Sequence, residues 1–242
     1  MRIKLLTSSI LALSVAAPTV LAHQAGDMIV RAGVVTVTTG ESTSGVVVDR
    51  SSVAAVPAGT DLGGQATLNN NTQLGLNFAY MVTDKVAVEL LGASPFEHDV
   101  AIKGTGKGTG AVDGALGKVK HLPPTLSAVY FPMDAGSAFQ PYVGVGVNYT
   151  WFFDEKVTSG AKAGDNVAGF SLTNLKVKNS WGWAAQVGAD YMLTENIMLN
   201  GQIRYIDIDT EATVDVAGGA AHAKVDVNIK PVVYMVGLGY KF

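Results

Sequence analysis

The sequence has no cysteine, only 15% charged residues, and no apolar run after residue 22 as long as a helical membrane span. Each absence excludes something. Without cysteine no disulfide can hold the chain, so a closed sheet or a large core must do so. Without a stretch of about 20 apolar residues, a helical span is excluded beyond the amino terminus. The charge balance is mildly acidic, formally -3, which gives no reason to expect a nucleic-acid partner. The four histidines, His23, His98, His121 and His222, are scattered without metal-ligand spacing, so neither a metal nor any other cofactor is expected.

What is present is apolar residue, 48% of 242, and its arrangement is informative. Arg2 and Lys4 precede an apolar stretch from Ile10 to Ala17, and Val20–Ala22 supplies a cleavage pattern, so residues 1–22 read as a secretory signal peptide. The remaining 23–242 read as one domain. In it, eight segments alternate with period two, near 27–38, 70–83, 85–102, 118–132, 139–155, 177–193, 196–211 and 225–242. Leu74, Leu76, Phe78 and Tyr80 oppose Gln73, Gly75, Asn77 and Ala79; Val143, Val145 and Val147 oppose Gly144, Gly146 and Asn148. The second face is too rich in glycine and too sparsely charged to meet water, so the apolar face is the outer one, against lipid.

Connections alternate in length. Those at 83–84, 133–138 and 194–196 are tight, whereas 39–69, 103–117, 156–176 and 212–224 are long and rich in small residues. This predicts an all-β fold, an eight-stranded antiparallel transmembrane β-barrel with short periplasmic turns and long extracellular loops. Aromatic residues are expected in two belts, Tyr80, Tyr130, Tyr142, Tyr191, Tyr240 and Phe242 at one level and Phe96, Tyr149, Trp151, Phe153, Trp181 and Trp183 at the other. In lipid no strand edge is left unpaired, so the last strand must close on the first and stay apolar to its end. The terminal Val236, Leu238, Tyr240, Phe242 pattern looks like the signal read by the outer-membrane barrel assembly machinery, with Tyr240 and Phe242 as its core. A Gram-negative source follows.

Long blocks of the chain carry a resemblance. "HQAGDMIVRAG" (23–33), "NNTQLGLNFAYMVTDKVAVELLGASPFEH" (70–98), "HLPPTL" (121–126), "PYVGVGVNYTWFFD" (141–154), "SWGWAAQVGADYML" (180–193), "DIDT" (207–210) and the closing "GYKF" closely resemble the outer membrane protein W family. The match runs in order over nearly all of 23–242 and is weakest at 39–69 and 156–176. The resemblance implies an eight-stranded barrel in the outer membrane whose narrow hydrophobic channel passes small hydrophobic compounds.

Eight strands enclose a space that side chains nearly fill, so a wide aqueous pore is excluded. By parity Arg31, Glu89, Asp190, Gln202 and Arg204 point inward in the periplasmic half, where two acids and two bases should pair into a polar plug. Val35, Val37, Leu91, Ala93, Pro123 and Phe152 are expected to line an apolar basin above it. A hydrophobic ligand or a detergent would be held there, with no way down. Pro95, Pro123 and Pro124 remove ladder donors at one level, which makes them candidates for a lateral opening toward the membrane lipids; Pro231 keeps a second seam in view. The alternative is a receptor, adhesin or structural barrel that works through its loops without transport.

Other motifs carry less. "GTGKGTG" at Gly104–Gly110 lacks the Ser or Thr and the helix of a phosphate loop and reads as a hairpin tip. In "EHD", Glu97–Asp99, a strand would turn His98 away from both acids, and Asp207 with Asp209 reads as a pair of rim charges. No Ser, His and acid converge, so no enzyme activity is expected.

Overall fold

The computed structural model describes residues 22–54, 57–105, 113–159 and 171–242. Most of the expected signal peptide and of the Gly104–Gly110 tip lies outside them. In chain order the strands are β1 (Met28–Thr38), β2 (Glu41–Thr43), β3 (Val46–Ser51), β4 (Asp61–Leu68), β5 (Asn71–Thr83), β6 (Val86–Ala93), β7 (Phe96–Thr105) and β8 (Gly114–Leu122). They continue with β9 (Thr125–Tyr130), β10 (Phe139–Val157), β11 (Leu172–Val177), β12 (Ser180–Met192), β13 (Ile197–Ile206), β14 (Ile208–Val216), β15 (Ala221–Ile229) and β16 (Val232–Lys241).

Eight of these close a ring in the order β1, β5, β6, β9, β10, β12, β13, β16, every neighbour antiparallel. The seam between first and last strand runs in register from Ile29 opposite Lys241 to Thr38 opposite Val232. Gly33 and Gly237 face each other there, and a side chain on either would strike the partner backbone. Beyond the seam Phe242 donates its N–H to Met28 O at 2.9 Å. Short turns join the strands at one end. Thr83 Oγ1 accepts N–H bonds from Lys85 and Val86, and Thr194 Oγ1 from Asn196 and Ile197, the local bonding that lets threonine replace a backbone turn.

The expected strands are present, but five of them are each divided in two, at Ser94–Pro95, Pro123–Pro124, Lys178–Asn179, Asp207 and Lys230–Pro231. Above these breaks the chain forms a second sheet, here the collar, in the order β11, β14, β15, β3, β4, β7, β8 and the upper part of β10. The long connections are therefore built largely of strands. The described residues of 39–69 include β2, β3 and β4, and most of 212–224 lies in the β14–β15 hairpin. Their Val and Thr content suffices for strands once neighbouring strands supply partners.

In the ring the large apolar side chains face outward. Leu74 is 72% exposed, Val145 67% and Leu238 58%, while Asn77, Asn148 and Asn200 are fully buried. Such a surface is stable only against lipid. Tyr80, Tyr130, Tyr191, Tyr240 and Phe242 form the lower belt on that surface, and Trp151, Trp181 and Trp183 stand in the upper one. Two residues assigned to the belts point inward instead, Tyr142 and Phe96, both nearly fully buried. Tyr142 shares the parity of Gln140 and Gly144, and the break at Ser94–Pro95 shifts the inward phase so that Phe96 follows Leu91.

Candidate functional site

The interior is layered, and each layer follows from side-chain parity on the strands around it. At the periplasmic end Ile29, Met81, Phe131, Met192 and Met198 pack into an apolar floor. Sequence reasoning had assigned only polar and charged inward residues to this half.

Above the floor lies the polar layer, where the structure brings Arg31, Glu89, Asp190, Gln202 and Arg204 together. Arg31 on β1 donates Nε to Asp190 Oδ1 at 3.0 Å and Nη2 to Oδ2 at 2.5 Å, a bidentate pair across the barrel from β12. Its Nη1 reaches Asn77 Oδ1 at 3.1 Å and Glu89 Oε2 at 3.4 Å. Glu89 on β6 also accepts from Arg204 Nη2 at 2.6 Å and Gln186 Nε2 at 2.9 Å, so one carboxylate joins both guanidiniums. Gln202 Oε1 accepts weakly from Arg204 at 3.4 Å. Four residues not assigned to this layer from sequence complete it. His23 Nε2 lies 3.1 Å from Asp190, Asn200 donates to Asp190 at 2.8 Å and to Tyr142 Oη at 2.9 Å, and Asn77 and Gln186 bind as above. Arg31 also stands over the Tyr142 ring, 5.6 Å from its centre. That ring needs Gly188 beside it, since a Cβ there would meet Tyr142 Oη at 2.5 Å.

With two acids against two arginines in contact, the formal charges of these four groups cancel within the layer.

Above it the top of the ring and the collar share an apolar core containing Val35, Val37, Leu91 and Phe152, with Ala93 packed against it. This core encloses a cavity of about 80 Å³ in the collar, whose wall includes Val37, Phe152, Val100, Ile102, His121 and Pro231. Of the six residues expected to line a basin, Val37 and Phe152 reach this cavity; Val35, Leu91 and Ala93 belong to the surrounding core. Pro123 does neither. It is half-buried, and its carbonyl accepts from Asn148 Nδ2 at 3.1 Å and Thr125 Oγ1 at 3.2 Å. Sequence reasoning also missed that His98 and His121 meet in the wall, with Nε2 atoms 2.9 Å apart. Their inward parity on the two strands of one hairpin was the available signal.

At the level of Pro95, Pro123 and Pro124 the wall loses its ladder. Pairing of β6 with β9 ends at Leu91 opposite Thr125, and pairing of β7 with β8 begins at Phe96 opposite His121. Between them lie Gly92–Pro95 on one side and Leu122–Pro124 on the other. Pro95 is exposed, and His121 borders the gap from above.

The chain matches the model of the OmpW family over residues 24–242. It is 42% identical over 224 residues to outer membrane protein W of Vibrio cholerae, covering 92% of each chain. The crystal structure of OprG from Pseudomonas aeruginosa superposes with a TM-score of 0.81 at 43% identity, covering 92% of this chain and 99% of that one. A more distant relative, 28% identical over 180 residues and 74% of this chain and 76% of its own, is the dibenzothiophene metabolism operon protein PahQ of Pseudomonas aeruginosa.

Proposed function

We propose, from the premise that this chain belongs to the OmpW family and is an integral β-barrel of the bacterial outer membrane, that it conducts small hydrophobic compounds inward from the cell exterior. The observation that carries this reading is the stacking of an apolar cavity above a polar layer whose two carboxylates and two guanidiniums are ion-paired. A hydrophobic solute gains by leaving water for the collar, about 25 cal/mol for each Å² of apolar surface it buries. Descent through the Arg31–Asp190–Glu89–Arg204 layer would break charge-assisted bonds with nothing to replace them. The exit is therefore lateral, through the unladdered gap flanked by Pro95, Pro123 and Pro124, into the membrane. The name of the relative PahQ ties that protein to the metabolism of an apolar aromatic compound, which fits the same class of solute.

Export by residues 1–22 and recognition of Tyr240 and Phe242 by the barrel assembly machinery belong to the same reading. The test uses the absence of native cysteine. Ala93→Cys with Pro123→Cys, joined by a bifunctional crosslinker in intact outer membranes, should stop uptake of an apolar fluorescent probe. Uptake that continues unchanged rejects the lateral route. If the uncrosslinked parent chain adds nothing over membranes lacking it, the transport reading falls and a loop-borne receptor or structural role takes its place.

A further inference from the structure

The collar cavity is lined mainly by aliphatic side chains, and its polar exception is organised. The β7–β8 register sets Phe96 opposite His121 and His98 opposite Val119, so the two imidazoles are diagonal neighbours on the inward face. Their rings stack at 4.9 Å, and Phe96 and Phe152 flank His121 at 5.5 and 5.7 Å.

The hydrogen bonds fix which nitrogen carries each proton. His98 Nδ1 lies 2.6 Å from the main-chain carbonyl of Asn69, and a carbonyl oxygen only accepts, so His98 Nδ1 is protonated. An apolar wall favours neutral rings, which leaves His98 Nε2 as a lone pair. His121 Nε2, 2.9 Å away, must then donate to it, and the lone pair of His121 falls on Nδ1. That atom is buried and has no hydrogen-bond partner among the described residues. Burial, with His98 adding to it, lowers His121 to about 3, so this ring stays neutral at ordinary pH. Elsewhere in the wall, Thr39 and Thr210 spend their hydroxyl protons on the carbonyls of Leu68 and Lys178. Thr213 and Lys224 sit opposite each other on the β14–β15 hairpin.

We propose that His121 Nδ1 is the acceptor that seats apolar ligands carrying one O–H or N–H donor, such as alkanols and phenols, in preference to ethers, ketones and hydrocarbons. This deepens the uptake reading above and rests on it. An alcohol in the cavity satisfies its own proton and the imidazole lone pair together. An ether sets lone pair against lone pair and leaves two buried acceptors without a donor, while a hydrocarbon leaves one.

The test compares two isomers of one formula, 1-octanol and heptyl methyl ether, titrated into the full chain in lipid nanodiscs. The preference for the alcohol, taken as a ratio, should be about three- to tenfold larger in the parent protein than in His121→Phe, the worth of one neutral hydrogen bond. Comparing ratios cancels the different partitioning of the two probes into lipid. A second measurement needs no variant: the ¹⁵N signal of His121 Nδ1 in the parent protein should move with octanol and stay in place with the ether. An equal ratio in both proteins, or octanol binding without movement of that signal, overturns the acceptor role alone. If neither probe binds the parent protein, the uptake reading fails and this one with it.

Discussion

The ring and the collar are built on continuous walls, yet they are inside out with respect to each other. In the ring Leu74, Val145 and Leu238 look outward, and the buried side chains include Arg31, Glu89, Asp190 and Arg204. In the collar Val100, Ile102, Leu116 and Val225 are buried, and the outward faces carry ion pairs such as Lys118 with Glu97 at 3.1 Å and Lys120 with Asp154 at 2.8 Å. The change happens within single strands. On β10 Val143, Val145 and Val147 are lipid-facing, and a few residues later Phe152 is in the core while Asp154 is outside. One hydrophobic effect produces both patterns, because what lies outside changes from hydrocarbon to water at the level of Trp151 and Trp181. The useful consequence is in the middle: above the polar layer the apolar core starts within the ring, at Val35, Leu91 and Met235, and continues past the height where the ladder is broken into the collar.

The sharpest way to break this contrast is to remove polarity from the ring interior. Arg31→Met deletes the bidentate partner of Asp190 and one of the two arginines on Glu89, leaving buried carboxylates short of charge. The expected loss is about 3–5 kcal/mol, read as a lowered midpoint of heat or urea unfolding in detergent. A change within about 0.5 kcal/mol would mean that the layer contributes nothing to holding the barrel. Next in size is the outer surface. Val145→Lys, between the two belts, should cost about 2–4 kcal/mol when folding into bilayers is measured. Thr173→Lys on the exposed face of β11 should stay within about 0.5 kcal/mol, because water already lies there.

The ring was legible in the sequence because lipid outside and a cramped interior force strict alternation, and Leu74, Val145 and Leu238 display it. The polar layer was legible by parity as far as Arg31, Glu89, Asp190, Gln202 and Arg204. Asn77, Asn200 and His23 were not, since their roles depend on which strands stand across the barrel. Tyr142 was misread because height above a turn was given more weight than parity. The collar was hidden for a different reason: Gly, Ser and Thr in 39–69 have the composition of loops, and only the partners supplied by β7 and β15 make strands of them. The pairing of His98 with His121 lay one step further off, in the register of a hairpin interrupted by Ser94–Pro95 and Pro123–Pro124.

The remaining prediction is one of pH, and it belongs to the collar alone. His121 lies in β8, above the membrane-spanning ring, and its folded form is held down to about 3 by burial and by His98. An unfolded chain would bind a proton at this histidine near pH 6.5, so below that value the unfolded state takes up a proton that the folded state refuses. Stability is therefore full above pH 6.5 and is lost progressively as pH falls toward 3. Among the described residues, His98 and Lys224 are the other titratable groups in the cavity wall, and a charge on either opposes a second one on His121. Between pH 7 and pH 5 this group should account for at most about 2 kcal/mol. His121→Phe cannot take up the proton, so its unfolding midpoint should fall less than that of the parent protein over the same interval. Parallel falls in the two proteins would mean that His121 is protonated without cost in the folded collar, and hence that its cavity is wetter than the ring interior beneath it.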